Sequence, residues 1–282
     1  MAKRKVSRSL GGNIAMTTFL LICGAFMVLP IIYTCVSAFK PLTELFLYPP
    51  RFFVKNPTLD NFSSMFRLVA NTRVPFERYL FNSIFVTVIG TLAGIILGSL
   101  AAYPMAKHKF RGRILLYNFV VWVMLFRPEV SSVPQYIVIS ELGLIDSYLA
   151  QILPALSGSM SVFLMRQFMI SSVPDSLLEA ARIEGAGEMR TFWSIVMPMT
   201  KPAWLTLSLF TFQSLWNATG TQYIFTETMK SLPTALKQIS SAGLSRAGAA
   251  SAISLVLMIP PIALFLCTQS SVMETMSTSG IK

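Results

Sequence analysis

Charged residues are scarce in this chain of 282 residues, and histidine and cysteine are scarcer still. Charged residues make up 12% of the sequence and hydrophobic residues 54%, whereas a typical soluble domain has about 25% charged residues. Because a soluble globule needs a charged surface, the composition excludes one, and it also excludes a disordered chain. With three cysteines, a disulfide scaffold is excluded as well. The solvent that suits such a surface is lipid.

Five stretches without any charged residue are long enough, or nearly so, to cross a bilayer, which takes roughly 20 apolar residues. They are 9–39, 79–106, 147–165, 202–226 and 247–273. A sixth candidate, 114–139, reaches that length only by continuing through Arg127, Pro128 and Glu129. We therefore predict an all-α integral membrane protein whose transmembrane domain covers 14–273. The predicted spans are about 14–38, 80–105, 114–139, 147–167, 203–225 and 248–271.

The basic residues predict the orientation, since short flanks rich in Lys and Arg stay in the cytoplasm. One basic cluster lies in the N-terminal segment 1–13 and another in 106–113, with two spans between them. The apolar run after the first cluster is too long for a cleaved signal peptide, so we predict a retained span. Both termini are predicted in the cytoplasm, including the tail 274–282, and segment 40–78 outside. Membrane anchoring explains the net charge of +11, so no nucleic-acid partner is predicted.

The sequence carries no motif for catalysis or nucleotide binding. It lacks the G-x-x-x-x-G-K-[ST] phosphate loop, and its single histidine, His108, lies in a basic segment. A lone histidine makes no metal site. Cys23, Cys35 and Cys267 fall in apolar stretches, as small buried residues do. We therefore predict that the chain is not an enzyme and binds no metal or cofactor itself.

Segment 172–202 differs from the other connections because it combines balanced charges with strong helix signals. These signals are Ser172, Pro174 and Asp175 at the start, the apolar stripe Leu177, Leu178 and Ala181, and Gly185 as the stop. A second short helix is predicted over 187–197, before Pro198. The pattern predicts a helix–turn–helix at the membrane surface. Physical reasoning alone leaves open whether it is a mere connector.

The same segment resembles the EAA loop of binding-protein-dependent ABC importer permeases. The residues that carry this resemblance are Glu179, Ala180, Ala181, Glu184, Gly185, Ala186, Phe192, Ile195, Pro198 and Pro202. Two positions depart mildly from the usual pattern, since Met197 replaces a leucine and Glu184 an aspartate. Further short matches resemble the carbohydrate-type subfamily, and together they extend over nearly the whole chain. They are Asn82-Ser83, Ala101-Ala102-Tyr103, Phe110-Arg111-Gly112-Arg113, Leu142-Gly143-Leu144, Trp216-Asn217 and the tail Gln269–Lys282.

The resemblance implies a type I ABC importer permease in a bacterial plasma membrane. Its EAA loop would be the coupling helix that docks into a cytoplasmic ATPase, with Glu179 as a charged contact and Gly185 setting the angle of the turn. The implied partners are a second homologous permease, two ATPase subunits that hold the ATP and Mg, and an extracellular or periplasmic solute-binding protein. The permease would then alternate between inward-facing and outward-facing states.

Polar residues within the predicted spans are candidates for the substrate pathway. In the fifth span, Gln213, Trp216, Asn217 and Gly220 share one helical face. Amides beside an aromatic ring suit a sugar, but the same face could instead hydrogen-bond to the partner permease. Arg127 and Glu129 are either anchors at the outer interface or contacts of a gate or of the binding protein.

We predict from these features the import of a sugar or oligosaccharide by an ATP-driven importer. One alternative is a glycerol-phosphate or other polyol substrate. A different class is an ion-coupled secondary transporter, which would need acidic residues near the middle of the membrane. Apart from Glu129, the predicted spans have none.

Overall fold

The computed structural model describes residues 10–70, 74–126, 128–218, 222–241, 243 and 246–279, with the backbone alone for 10, 128, 129 and 271–279. These residues form helices and connections without a β-strand. The chain divides into two compact units. One comprises Met1–Asn71 and Lys237–Val256, and the other comprises Thr72–Leu236 and Leu257–Lys282. The predicted all-α class is confirmed.

Sixteen helical segments follow one another along the described residues. They are α1 (Leu10–Ala38), α2 (Leu42–Leu45), α3 (Asp60–Ala70), α4 (Phe76–Lys107), α5 (Arg113–Met124), α6 (Pro128–Glu141), α7 (Tyr148–Leu156), α8 (Ser159–Ser172), α9 (Asp175–Ile183), α10 (Glu188–Thr191), a π-helical turn (Phe192–Val196), α11 (Met197–Met199), α12 (Lys201–Asn217), a 3₁₀ turn (Glu227–Met229), α13 (Leu232–Ser240) and α14 (Ala247–Ser279).

Three of the described helices are long and apolar enough to cross a membrane. They contain Gly11–Ala38, Phe76–Lys107 and Ala247–Ser270. A fourth span results if α7 and α8, which meet at an angle of 41°, are taken as one broken helix. The chain is thus a membrane protein with several spans.

The remaining predicted spans are helical over different bounds. Within 114–139 the chain forms α5 and α6, and Leu125 and Phe126 lie outside both helices. Within 203–225 the helix ends at Asn217. Within 147–167 the break follows Pro154 and comes at Ser157–Gly158. Proline interrupts the backbone hydrogen-bond ladder and glycine tolerates a bend. Pro128 therefore explains the separation of α5 from α6, and Pro154 with Gly158 explains the bend between α7 and α8.

The first unit is held together around a buried asparagine. The Nδ2 atom of Asn61 donates to the carbonyl oxygens of Ala38 at 2.9 Å and Lys40 at 2.7 Å. The start of α14 approaches so closely that a Cβ on Gly248 would lie 2.2 Å from Asn61 Oδ1. Lys40 is buried, and its Nζ donates to the carbonyl oxygen of Arg51.

In the second unit α4 is the central helix, and it packs against α7, α8 and α12. Small residues let these helices approach closely, as in other membrane helix pairs. A Cβ on Gly98 would lie 2.7 Å from Ser161 Cβ, and one on Gly90 would lie 2.7 Å from Leu215 Cδ1. The main apolar core lies at one end of this bundle, where α4, α8 and α12 meet α9 and the π-helical turn.

Candidate functional site

The EAA loop folds locally as two short helices around a glycine turn. Helix α9 starts at Asp175, whose negative charge suits the positive end of the helix, and stops before Gly185. Gly185 has a φ of +81°, a conformation that favours glycine. The turn is closed by Ala186 N, which donates to the carbonyl oxygen of Ala181 at 2.9 Å. Ser172 is not the N-cap as predicted, because it ends α8 and Pro174 occupies the capping position.

One face of this helix pair is anchored in the main core. Leu178, Ala181, Phe192 and Val196 are all buried, at 6% relative exposure or less. Leu177, the third member of the predicted stripe, is 39% exposed. Burying such side chains contributes roughly 1.5–3 kcal/mol for each large one. The helix pair is therefore held against the end of the bundle by apolar packing.

The opposite face of the helix pair is not covered by the described residues of the chain. Glu179, Ala180, Glu184 and Gly185 are exposed, Ala186 is partly buried and Pro198 is exposed. Beside them Ile183 is 87% exposed. The structure therefore brings the predicted coupling residues together on an outer surface, except for Ala181, which faces the core, and Pro198, which lies in α11.

A carboxylate of α10 joins three parts of this region. Glu188 Oε2 accepts a hydrogen bond from the Tyr103 hydroxyl at 2.9 Å and lies 3.3 Å from His108 Nε2. Glu188 Oε1 accepts from Arg182 Nε at 3.0 Å. Burial alone would raise the pKa of Glu188, but the hydrogen bonds from Tyr103 and Arg182 outweigh it, so the pKa is lowered from 4.5. Glu188 is therefore an anion at neutral pH.

A second polar contact joins α4 to the start of α9. Lys107 Nζ donates to the carbonyl oxygen of Val173 at 2.6 Å and to Asp175 Oδ1 at 2.8 Å. The hydrogen bond and charge of Lys107 lower the pKa of Asp175. Neither Glu188 nor Lys107 was predicted as a site residue. The sequence offers only their charges as a signal, because nothing in it shows that Tyr103 and Glu188 meet.

A cavity of about 650 Å³ lies within the second unit. Its polar lining comprises Gln135, Ser161, Gln151, Thr211, Ser214, Gln222 and Tyr223, and its aromatic lining includes Phe210. Amides and hydroxyls beside aromatic rings suit the hydroxyl groups and faces of a sugar. The three glutamines come from α6, α7 and the segment after α12, so no local pattern in the sequence would have grouped them.

An aspartate holds one wall of this cavity in place. Asp146 has a φ of 59°, and its Oδ1 accepts from the backbone nitrogens of Phe225 at 2.6 Å and Thr226 at 2.8 Å. The backbone hydrogen bond from Thr226 has the larger effect on the pKa of Asp146, and together with the one from Phe225 it lowers that pKa. The Tyr223 hydroxyl donates to Gln135 Oε1 at 2.9 Å. The loop before α7 thus positions the cavity residues that follow α12.

The predicted pathway residues of the fifth span do not share one environment. Gln213 and Asn217 are exposed, and Asn217 Nδ2 donates to the carbonyl oxygen of Gln213 at 2.9 Å. Trp216 is buried, and its Nε1 donates to the carbonyl oxygen of Leu257 at 3.0 Å. Gly220 and Arg127 lie outside the described residues, as does the side chain of Glu129. The geometry therefore tests none of the roles predicted for Gly220, Arg127 and Glu129.

Among the residues that the structure describes, no group of three or more His, Cys, Asp or Glu side chains is placed to hold a metal ion.

Comparison with known proteins identifies relatives along most of the chain. The family model of the binding-protein-dependent transport system inner membrane component matches residues 94–271. The chain is 35% identical to Bacillus subtilis protein LplC, and the matched region covers 69% of this chain but only 63% of LplC. It is 33% identical to the polygalacturonan/rhamnogalacturonan transport system permease protein YtcP of the same organism, over 73% of this chain and 70% of YtcP.

A third relative is matched over nearly its whole length. This is the sn-glycerol-3-phosphate transport system permease protein UgpE of Yersinia enterocolitica, which is 33% identical over 89% of this chain and 91% of UgpE. Among solved structures, a chain of a bacterial ABC transporter involved in the import of the acidic polysaccharide alginate superposes with a TM-score of 0.77. It covers 93% of this chain and 98% of that chain at 23% identity, and therefore supports the fold. The chain belongs to the binding-protein-dependent transport system inner membrane components, the permeases of ABC importers, as the EAA resemblance predicted.

Proposed function

We propose that this chain forms half of the membrane pathway of an ATP-driven importer for a sugar or oligosaccharide. The family supports import with a solute-binding protein, and YtcP supports a saccharide substrate. A second homologous permease completes the pathway. Two cytoplasmic ATPase subunits hold the ATP and Mg and supply the free energy, since this chain has no phosphate loop.

In this proposal α9 is the coupling helix, and its exposed face docks into a cleft of the ATPase. The single observation that carries this step is the 87% exposure of Ile183 at the end of a helix whose other face is buried. An exposed apolar side chain next to Glu179 and Glu184 combines the contacts that a docked helix needs, which are an apolar anchor and charges that fix its register.

The cavity lined by Gln135, Gln151 and Gln222 is the proposed place where a saccharide passes. Leu215 lines this cavity, and the next residue, Trp216, holds that turn of α12 through its hydrogen bond to α14 and its ring stacking with Phe212. The exposed amides of Gln213 and Asn217 remain candidates for the pathway or for contact with the second permease.

The proposed topology has six spans in a bacterial plasma membrane, with both termini in the cytoplasm. Helices α5 and α6 together form the third span, and α12 begins the fifth. A single cysteine at Ser279, in a background without the three native cysteines, tests the topology with an impermeant maleimide. We expect no labelling from outside intact cells, and labelling there would contradict the six-span topology.

The substrate is tested with the importer assembled in proteoliposomes with both permeases, both ATPases and the binding protein. The probes are neutral oligosaccharides, uronate oligosaccharides and sn-glycerol-3-phosphate, and the readout is stimulated ATP hydrolysis. We expect a saccharide to stimulate it. Stimulation by sn-glycerol-3-phosphate alone would instead favour the substrate class named for UgpE, which is the second candidate because that relative aligns over 91% of its length.

A further inference from the structure

Glu188 uses both of its carboxylate oxygens, and its three partners come from two parts of the chain, the end of α4 and the end of α9. Tyr103 lies near the end of α4, His108 caps the end of that helix, and Arg182 belongs to α9. The distances are 2.9 Å to the Tyr103 hydroxyl, 3.3 Å to His108 Nε2 and 3.0 Å to both Arg182 Nε and Nη2. Charge-assisted hydrogen bonds of this kind are stronger and more directional than neutral ones.

The same end of α4 is tied to α9 a second time through Lys107, which reaches Val173 O and Asp175 Oδ1. The side chain of Lys107 is 5% exposed and that of Asp175 is 78% exposed. The hydrogen bond from Lys107 to Val173 O is therefore better protected from solvent than the ion pair with Asp175. Aromatic packing reinforces the region, because the rings of Tyr103 and Phe192 lie 5.5 Å apart. Helix α9 is therefore attached to α4 at both its start and its end.

Helix α4 also reaches the proposed pathway. Val86 lines the cavity, and so does Leu215, which touches the space beside Gly90. Gly98 lies between Gly90 and Tyr103 along α4, and it packs so closely against α8 that there is no room for even a methyl group. Interfaces packed this closely transmit displacements instead of absorbing them. A push on α9 is thus passed along a single 32-residue helix.

We propose that Glu188 is a positioning residue that locks α9 to α4, so that α4 carries the movement of the coupling helix to the cavity. This inference rests on the proposed function, since it takes α9 as the ATPase-docking helix. Glu188 does not contact the ATPase or the sugar in this mechanism. It acts through Tyr103 and Arg182, and its removal separates ATP-driven movement from opening of the pathway.

The test uses the assembled importer with its binding protein in nanodiscs, without native cysteines and with Ser214→Cys as a reporter in the cavity. MgATP with vanadate is the probe, and maleimide labelling of the reporter measures opening. The variants are Glu188→Gln and Tyr103→Phe, and the matched control is Glu141→Gln at the end of α6. Coupling residues typically change an equilibrium by 0.5–2 kcal/mol. We therefore expect the MgATP concentration for half of the labelling change to rise about 2- to 30-fold.

Two further readouts separate this role from a structural one. The ATPase should co-purify normally with both variants, and basal ATP hydrolysis should persist. The double variant should be no worse than Glu188→Gln alone, because both substitutions break one network, whereas independent destabilisation would add. Tyr103→Phe removes a single hydroxyl, so it keeps the test valid if the Glu188→Gln permease fails to fold and is absent from the membrane.

A parent-like MgATP dependence in both variants would overturn the inference, and so would loss of the ATPase from Glu188→Gln, which would make Glu188 a docking residue. Either outcome leaves the proposed function standing. That function would fail separately if the parent complex, with Glu188 intact, did not retain the ATPase or showed no labelling change with MgATP and vanadate.

Discussion

Replacing Gly98 by alanine tests the close packing of α4 most simply, because two other glycines supply matched comparisons. A Cβ at Gly98 would lie 2.7 Å from Ser161 Cβ, an atom next to the backbone that no rotamer change can move. A Cβ at Gly90 meets the end of the Leu215 side chain, which can rotate away, and one at Gly24 meets nothing within 4 Å.

The expected magnitude follows from these contacts. Overpacking of a well-packed site costs typically about 1–3 kcal/mol. Alanine in place of a helical glycine recovers about 0.5–1 kcal/mol of helix propensity, and this gain is the same at all three positions. The difference in unfolding free energy between Gly98→Ala and Gly24→Ala is therefore about 1–3 kcal/mol, with Gly90→Ala between them.

The measurement is unfolding of the purified permease in mixed micelles by increasing SDS, followed by helical circular dichroism. We expect the order of stability Gly24→Ala, then Gly90→Ala, then Gly98→Ala. Equal stability of Gly98→Ala and Gly24→Ala would refute the contact between α4 and α8 on which the proposed transmission depends.

Two other predictions follow from buried and titratable polar groups. Asn82→Leu should lower the stability of the permease by about 1–3 kcal/mol for each partner left unsatisfied, because the Asn82 amide donates to Thr228 O and Lys230 O; heating in detergent followed by size-exclusion chromatography measures this. The lowered pKa of Glu188 means that its contacts stabilise the EAA loop above pH 4.5 and are lost as the pH falls through the lowered pKa. Fluorescence of Trp193, the other tryptophans being replaced, should report that acid transition in the parent and not in Glu188→Gln.

The long apolar helices could be predicted from the sequence because charge is excluded from lipid whatever the tertiary structure. Helix α1 lies within the uncharged stretch 9–39, and α4 and α14 contain the uncharged stretches 79–106 and 247–273. The break before Pro128 and the bend at Gly158 could not be placed so easily. Pro30 lies inside the unbroken α1, so a proline alone does not decide whether a membrane helix is interrupted.

The candidate site also has one part that the sequence predicts and another that it does not. The glycine turn and the buried stripe of the EAA loop are local features, and the positive φ of Gly185 agrees with its predicted role as a stop. The orientation of Trp216 depends on α14, which is far along the chain, so helical periodicity grouped it with Gln213 although only Gln213 is exposed. The contact of Glu188 with Tyr103 joins residues 85 positions apart, and periodicity carries no information on such pairs.

The coupling role of the EAA loop is tested most directly by Glu179→Ala and Gly185→Val. Removing a charge at an interface costs roughly 2–5 kcal/mol when its partner stays buried, and a β-branched residue at a φ of +81° adds strain of about 1–3 kcal/mol. The measurement combines membrane level, ATPase co-purification, sugar uptake and ATP hydrolysis stimulated by the loaded binding protein. We predict that both variants remain in the membrane, lose uptake, and lose either the bound ATPase or its stimulation. Normal uptake with normal stimulation in both would show that this loop is only a connector.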